Sequence, residues 1–344
     1  MDQGRHRRIT AGRSEYFVRV AHRHGNRSGP APVRSSQKME SDHVMSSAEI
    51  PFRKEMPFEY GAAAEVAPGV RRIIAENPSS FTHVGTNTYV VGKGEVAVID
   101  PGPMIEEHVE NIKAALEGET VTHIVVTHTH MDHSPASDWL KELTGAPIVG
   151  ALPRPQGDGK AVEASQENFS PDIEISDGSE ISGPGWTLDA VFTPGHMSNH
   201  HCFRLREGNI LFSGDHVMGW NTTIVSPPDG NMREYLDSLR VCIARDEVMY
   251  LPGHGPEIKK PAPFVRAYLN HRMMREGEIA KCLESGTTTI AEMVRRMYTH
   301  LPEKMYGPAS RSVLAHMEHM VETNRADCDG PVTLDSVFAP PSRN

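Results

Sequence analysis

The chain predicts a layered α/β sandwich followed by a small helical appendage. Three observations carry this. Short apolar, β-branched runs recur between residues 70 and 251, helical periodicity is interleaved with them, and past Pro261 only helical patterns continue.

Taken in order, Val70–Ile74, Tyr89–Val91 and Glu95–Asp100 read as strands, the last two joined across Gly92-Lys93-Gly94 as a hairpin. Residues 104–117 space their apolar positions as a helix does. Val121–Thr127 is a β-branched strand that runs straight into a His-rich turn, and Asp138–Leu143 reads as the helix behind it. Further short strands fall at 148–149, 187–192, 201–205, 210–212 and 248–251. Helical patterns then cover 264–284, 290–298 and 311–321, with Thr287-Thr288-Thr289 marking the start of the second. The expected organisation is a disordered extension over 1–55, a catalytic domain over 56–260, a helical domain over 261–325 and a flexible tail over 326–344.

Composition narrows the class. Of 344 residues, 38% are apolar and 23% charged, which fits a soluble globular protein with a disordered portion. No run approaches the roughly 20 apolar residues of a membrane span, and the N-terminus has no apolar secretory core. Cys202, Cys242, Cys282 and Cys328 are scattered, so neither a disulfide framework nor a Cys-rich zinc site is expected, and a cytoplasmic location is. Residues 1–38 carry nine Lys/Arg against Asp2 and Glu15; the remainder carries 26 Lys/Arg against 43 Asp/Glu. The Arg-rich start admits an organellar targeting reading, but it shows no amphipathic face, which favours a plain extension, some of it upstream of a start at Met39 or Met45. So acidic a body repels phosphate backbones, and duplex DNA is not an expected partner.

Four loops, each after a strand-like run, carry metal-capable side chains. They are His128, His130, Asp132 and His133; Thr193-Pro194-Gly195-His196; Ser213-Gly214-Asp215-His216; and Leu251-Pro252-Gly253-His254-Gly255. Imidazole and carboxylate suit zinc, iron or manganese. Among 19 histidines a lone His-x-His would mean little, but four such loops in series are hard to assign to chance. Asp215 can offer two oxygens to two cations, and two adjacent cations can hold a shared hydroxide.

With these residues the chain resembles the metallo-β-lactamase superfamily, whose His-x-His-x-Asp-His signature is matched by His128, His130, Asp132 and His133 and whose later ligands are matched by His196, Asp215 and His254. The resemblance, over about residues 60–260, implies a four-layer αβ/βα sandwich with metals at one edge. It implies that His128, His130 and His196 hold one metal, that Asp132, His133 and His254 hold a second, and that Asp215 bridges. Asp132 and Asp215 would be the catalytic carboxylates and two zinc ions the cofactor, with iron or manganese as alternatives. Asp100, matching the family's early aspartate, would orient the His-rich loop. The flavodiiron branch has a glutamate where His130 stands, so redox chemistry is disfavoured. Penicillin-type hydrolysis is disfavoured by the complete motif and the lack of an export signal.

The run from Gly214 to Thr223, followed by Ser226-Pro227-Pro228-Asp229-Gly230, resembles the lactamase-beta-like protein 2 branch, whose animal member is a single-strand-selective endoribonuclease. Members carry a small winged-helix-like domain, often opened by a His-Arg pair such as His271-Arg272. That branch makes single-stranded RNA the first expectation for substrate, with a glyoxalase-II-like thioester or a small ester next. Residues 265–325 hold nine Lys/Arg and seven Glu, too balanced for a duplex binder, so the appendage is expected to narrow the site or form a homodimer contact. A metal-stabilised binding module is the non-enzymatic alternative; the intact ligand set argues against it. His200, His201 and His216 are expected to be structural neighbours rather than proton donors, Cys202 a buried hydrophobe, and Trp220 and Asn221 either the substrate mouth or loop packing.

Overall fold

Alternation along the strands dictates the architecture. In the computed structural model, which describes residues 9–11, 14–16, 18–19, 50–154 and 164–342, strands β1 (Ile9–Ala11) and β2 (Ser14–Tyr16) pair, and β3 (Val18–Arg19) adds to the edge of a larger sheet. The first large sheet contains β4 (Ala64–Ala67), β5 (Val70–Ile74), β6 (Asn87–Lys93), β7 (Glu95–Ile99), β8 (Thr120–Val125), β9 (Ile148–Gly150) and β10 (Ile173–Glu174), in the order β10-β9-β8-β7-β6-β5-β4. From β4 to β7 it is an antiparallel meander, and from β7 to β10 it is parallel. The second sheet contains β11 (Glu180–Gly183), β12 (Trp186–Phe192), β13 (His201–Leu205), β14 (Ile210–Gly214) and β15 (Met249–Pro252), in the order β15-β14-β13-β12-β11-β3.

Side chains point to alternate faces of a strand, so an apolar run serves two cores. Tyr89, Val91, Ala97, Ile99 and Val125 of the first sheet meet Leu188, Phe203, Leu205, Phe212 and Leu251 of the second in the layer between them. Val90, Val96, Val98 and Ile124 point outward onto helices α1 (Glu106–Ala115) and α2 (Ala136–Thr144). Val191, Cys202, Leu211 and Tyr250 point the other way onto α3 (Met232–Ile243) and α4 (Pro261–Glu284). The result is the αβ/βα order of layers. Each large side chain buried here stabilises by about 1.5–3 kcal/mol.

Helix α4 belongs to two cores. Its first half, with Phe264, Val265 and Tyr268, packs on the sandwich. Its last turns, with Ile279, Cys282 and Leu283, join a separate cluster with α5 (Ile290–Met297) and α6 (Tyr306–Glu322). Thr289 caps α5, its hydroxyl accepting from the Glu292 amide, at the end of the expected Thr run. This is the small C-terminal winged-helix-type unit.

Three segments stand apart from the sequence reading. The disordered extension over 1–55 falls mostly outside the described residues. What is described there includes three short strands and Ile50, which is buried in the α3–α4 core beside Phe52, whose ring lies edge-on to Phe264 and Tyr268. The flexible tail over 326–344 is instead anchored as far as the described residues run. Its β16 (Asp327–Cys328) and β17 (Phe338–Ala339) pair, and Phe338 is buried with Ala326 in the C-terminal cluster. The buried ring and the strand pairing together tie down this otherwise polar segment. Helix α3 was not expected at all, although Asn231 caps it by accepting from the Glu234 amide, a pairing visible as Asn-x-x-Glu.

Candidate metal centre

All the candidate ligands stand at the carboxyl ends of strands. Asp100 follows β7, the His128–His133 loop follows β8, His196 follows β12, Asp215 follows β14 and His254 follows β15. Because β7 and β8 are parallel neighbours in one sheet and β14 and β15 in the other, their ends meet at one edge of the sandwich. The structure brings His128, His130, Asp132, His133, His196, Asp215 and His254 together there. Ligand-capable atoms fall into three overlapping groups, each within 4.8 Å: His128/His130/His196, His128/His133/Asp215, and Asp132/His133/His254.

Asp100 lies behind them in the left-handed region, φ 49°, where a non-glycine residue is strained. Its carboxylate accepts from the Thr127 amide at 2.8 Å, the Thr127 hydroxyl at 2.7 Å and His133 Nδ1 at 2.9 Å. These bonds offset the strain and fix tautomers. The Thr127 hydroxyl spends its proton on Asp100, so at 3.0 Å it can only accept from His128 Nδ1. His196 Nδ1 donates to the Ile224 carbonyl at 2.6 Å, and His254 Nδ1 to the Gly85 carbonyl at 3.2 Å. With its proton turned outward, each of these rings presents an Nε2 lone pair inward whenever it is neutral.

The inward atoms are packed tightly. His128 Nε2 and His196 Nε2 each lie 3.1 Å from His130 Nδ1, and one ring proton could serve only one of them. His133 Nε2 and His254 Nε2 stand 3.2 Å apart, and Asp215 Oδ1 is buried without a hydrogen-bond partner. Such an arrangement calls for a positive centre among the nitrogens. These residues fit divalent metal ions.

Charge divides the site. Burial, reinforced by His133, His130 and His196, holds His128 well below the usual imidazole range. Burial and His196 bring His130 down to about 3. On the other side burial opposes charge on His254, but Asp215 and Asp132 outweigh it and push the ring up to about 10. His133 is likewise raised, burial being outweighed by Asp132, Asp215 and Asp100. One half is a nest of neutral nitrogens and the other a carboxylate pocket that draws positive charge.

Packing leaves no slack. A Cβ on Gly253 would stand 2.5 Å from Asp215 Oδ1 and 2.6 Å from His133 Cε1. At Gly195, φ 128°, a Cβ would run into the Tyr235 backbone at 2.2 Å. Sequence reasoning missed Asn87, whose Nδ2 donates to the Pro252 and Gly255 carbonyls at 2.9 Å and brackets His254. It also missed His83, stacked on Trp220 with ring centroids 4.8 Å apart; neither residue has a local motif that marks it. Trp220 therefore packs on the loop before β6, beside His254. His200 is structural: its Nε2 accepts from the Asp215 amide at 3.1 Å, and its Nδ1 meets the Thr193 hydroxyl at 2.9 Å. His201 Nδ1 is bound to the Asn199 carbonyl, and His216 is buried against the Tyr235 ring.

The model of the metallo-beta-lactamase superfamily matches residues 82–254, and that of the beta-lactamase associated winged helix domain matches 289–330. A Caenorhabditis elegans protein named beta-lactamase-like protein 2 homolog is 32% identical over 247 residues, covering 69% of this chain and 79% of that one. An Aspergillus fumigatus atrochrysone carboxyl ACP thioesterase is 29% identical, covering 73% of this chain and 82% of its own. Among solved structures, a Burkholderia ambifaria beta-lactamase domain protein superposes with TM-score 0.68 at 21% identity, over 85% of this chain and 97% of that one, and so shares the fold. By the family match and the identity to these relatives, the chain belongs to the metallo-β-lactamase superfamily of metal-dependent hydrolases.

Proposed function

We propose that this chain is a dinuclear zinc hydrolase that cleaves small acyl thioesters. The observation that carries the dinuclear reading is that His128/His130/His196 and Asp132/His133/His254 form separate groups, linked by a third in which Asp215 joins His128 and His133. His128, His130 and His196 would hold one ion, Asp132, His133 and His254 the other, and Asp215 would reach both. When bound, the two cations supply Lewis acidity and activate water at neutral pH. The chain's own residues do the rest. Asp100 keeps a proton on His133 Nδ1, Thr127 and Ile224 keep protons on the outer nitrogens of His128 and His196, and the inner lone pairs stay free for metal. Water adds to the acyl carbon, the C–S bond breaks, and the thiol leaves with a proton.

Two points support a thioester over a polyanion: the net acidic body after residue 38, and the likeness to a protein named a thioesterase. Cleavage of single-stranded RNA is the second reading, favoured by the likeness to the beta-lactamase-like protein 2 homolog and by the Gly214–Thr223 run. Zinc-replete protein should hydrolyse short acyl thioesters, with loss of more than about a hundredfold in His128→Ala and Asp215→Asn. RNA cleavage sensitive to both changes, without thioester turnover, would select the second reading. Clearly fewer than about two zinc ions per chain would sink the dinuclear one.

A further inference from the structure

The segment 216–224 follows Asp215 and carries no ligand of its own, yet it touches two ligands. The Thr223 hydroxyl bonds the carbonyls of Asp215 at 2.7 Å and His216 at 3.1 Å. The next carbonyl, on Ile224, takes the proton of His196 Nδ1. Moving this segment therefore turns the His196 ring and shifts the Asp215 backbone together.

Helix α4 holds the segment from behind. The Tyr268 hydroxyl accepts from the Met218 amide at 3.1 Å and reaches the Asn221 carbonyl. One turn later the Arg272 guanidinium donates to the Thr223 carbonyl and lies 5.1 Å over the Tyr235 ring, whose hydroxyl donates to His216 O at 2.9 Å. Arg272 is 3% exposed, so it is not a solvated surface charge. One further turn on, Glu276 accepts from His319 Nδ1 at 2.7 Å and pairs with Arg325 at 2.6 Å, both from the C-terminal unit. Residues four apart share a helix face, so Tyr268, Arg272 and Glu276 form one polar seam. It joins the C-terminal cluster to the segment behind His196 and Asp215.

Resting on the metal reading above, we propose that Arg272 is a positioning residue for the metal centre. Through it helix α4, gripped one turn on by the C-terminal unit at Glu276, sets the orientation of His196 and Asp215. A planar guanidinium is suited to the task because it can stack on Tyr235 and donate edge-on to a carbonyl at once. Outer partners of metal ligands typically govern affinity by 10–100-fold.

The test uses the full chain stripped of metal, then titrated with zinc against a chromophoric chelator, and separately loaded with cobalt(II) for its visible spectrum. Arg272→Met should weaken zinc binding by about 10–100-fold and shift the cobalt bands. Arg275→Met is the control: Arg275 lies on the same helix but pairs with Glu278 and stacks on Tyr298, so it should change neither. If Arg272→Met does not fold, Arg272→Lys, which keeps the charge but cannot stack on Tyr235 and donate edge-on to the Thr223 carbonyl at once, carries the test with the same expected direction. A folded Arg272→Met or Arg272→Lys protein with wild-type zinc affinity and an unchanged cobalt spectrum overturns the proposal while leaving the metal reading intact. A wild-type chain that takes up no metal overturns both.

Discussion

Replacing Asp100 by Asn changes one oxygen to an NH2 group and leaves shape nearly untouched. Asn also tolerates the left-handed backbone of this position, so strain is not a confounder. One amide oxygen can still accept from the Thr127 amide. The other position, now a donor, faces the Thr127 hydroxyl and His133 Nδ1, both of which donate in the native protein. To avoid donor against donor, the hydroxyl must turn toward His128 Nδ1, and both rings must move their protons to Nε2. Those protons then occupy the positions where His128 and His133 would bind metal. Two charge-assisted bonds, worth about 1.5–3 kcal/mol each, become neutral bonds worth about 1 kcal/mol, a loss of order 1–4 kcal/mol in stability of the metal-free fold. Zinc affinity should fall by about 10–100-fold. Chelator competition measures the affinity, and long-range 1H–15N spectra of the imidazoles report the tautomers. Wild-type affinity with both protons still on Nδ1 would refute the reasoning.

Gly253→Ala should cost most of the bound zinc while leaving the far-ultraviolet circular dichroism unchanged, because the new methyl falls between Asp215 and His133; metal analysis of the purified variant decides it. Burial pulls His108 and His123 down to about 4, so below the unfolded value of 6.5 the unfolded chain binds protons that the folded one refuses. Stability of the metal-free protein should therefore decline as pH falls from about 6.5 to about 4, by about 3 kcal/mol for each ring; urea midpoints that fall equally for wild type and His108→Gln would contradict this. Phe338→Ala should destabilise the C-terminal unit by about 3–5 kcal/mol, read as early proteolysis beyond residue 285, and protection equal to wild type would show that the segment is not anchored by that ring.

Much of this was legible in the sequence because the informative contacts are local or periodic. A strand buried on both faces reads as an unbroken apolar run, and Val121–Val126 ends where the His-rich loop begins, so strand and motif announce each other. The hairpin at Gly92-Lys93-Gly94 and the cap at Thr289 are short-range chemistry of the same kind. Asn87 left no trace because its partners lie 165 and 168 residues away. Arg272 could be noticed as half of a His-Arg pair, but its partner Thr223 is set by how α4 crosses the sandwich. The C-terminal strand β17 was missed for a related reason: one Phe among Pro, Ser and Asp shows no periodicity, and only the groove it fills explains it.

The ligands are divided between the sheets, with His128, His130, Asp132 and His133 on one and His196, Asp215 and His254 on the other. Each half alone is an incomplete cage. An ion captured here is thus a rivet through the seam of the molecule. It binds the assembled edge and not the parted halves, so bound metal should raise the resistance of that seam to opening. Slower hydrogen exchange at the strand ends behind the ligands in metal-loaded than in metal-free protein would read this out, well before any global unfolding could be seen.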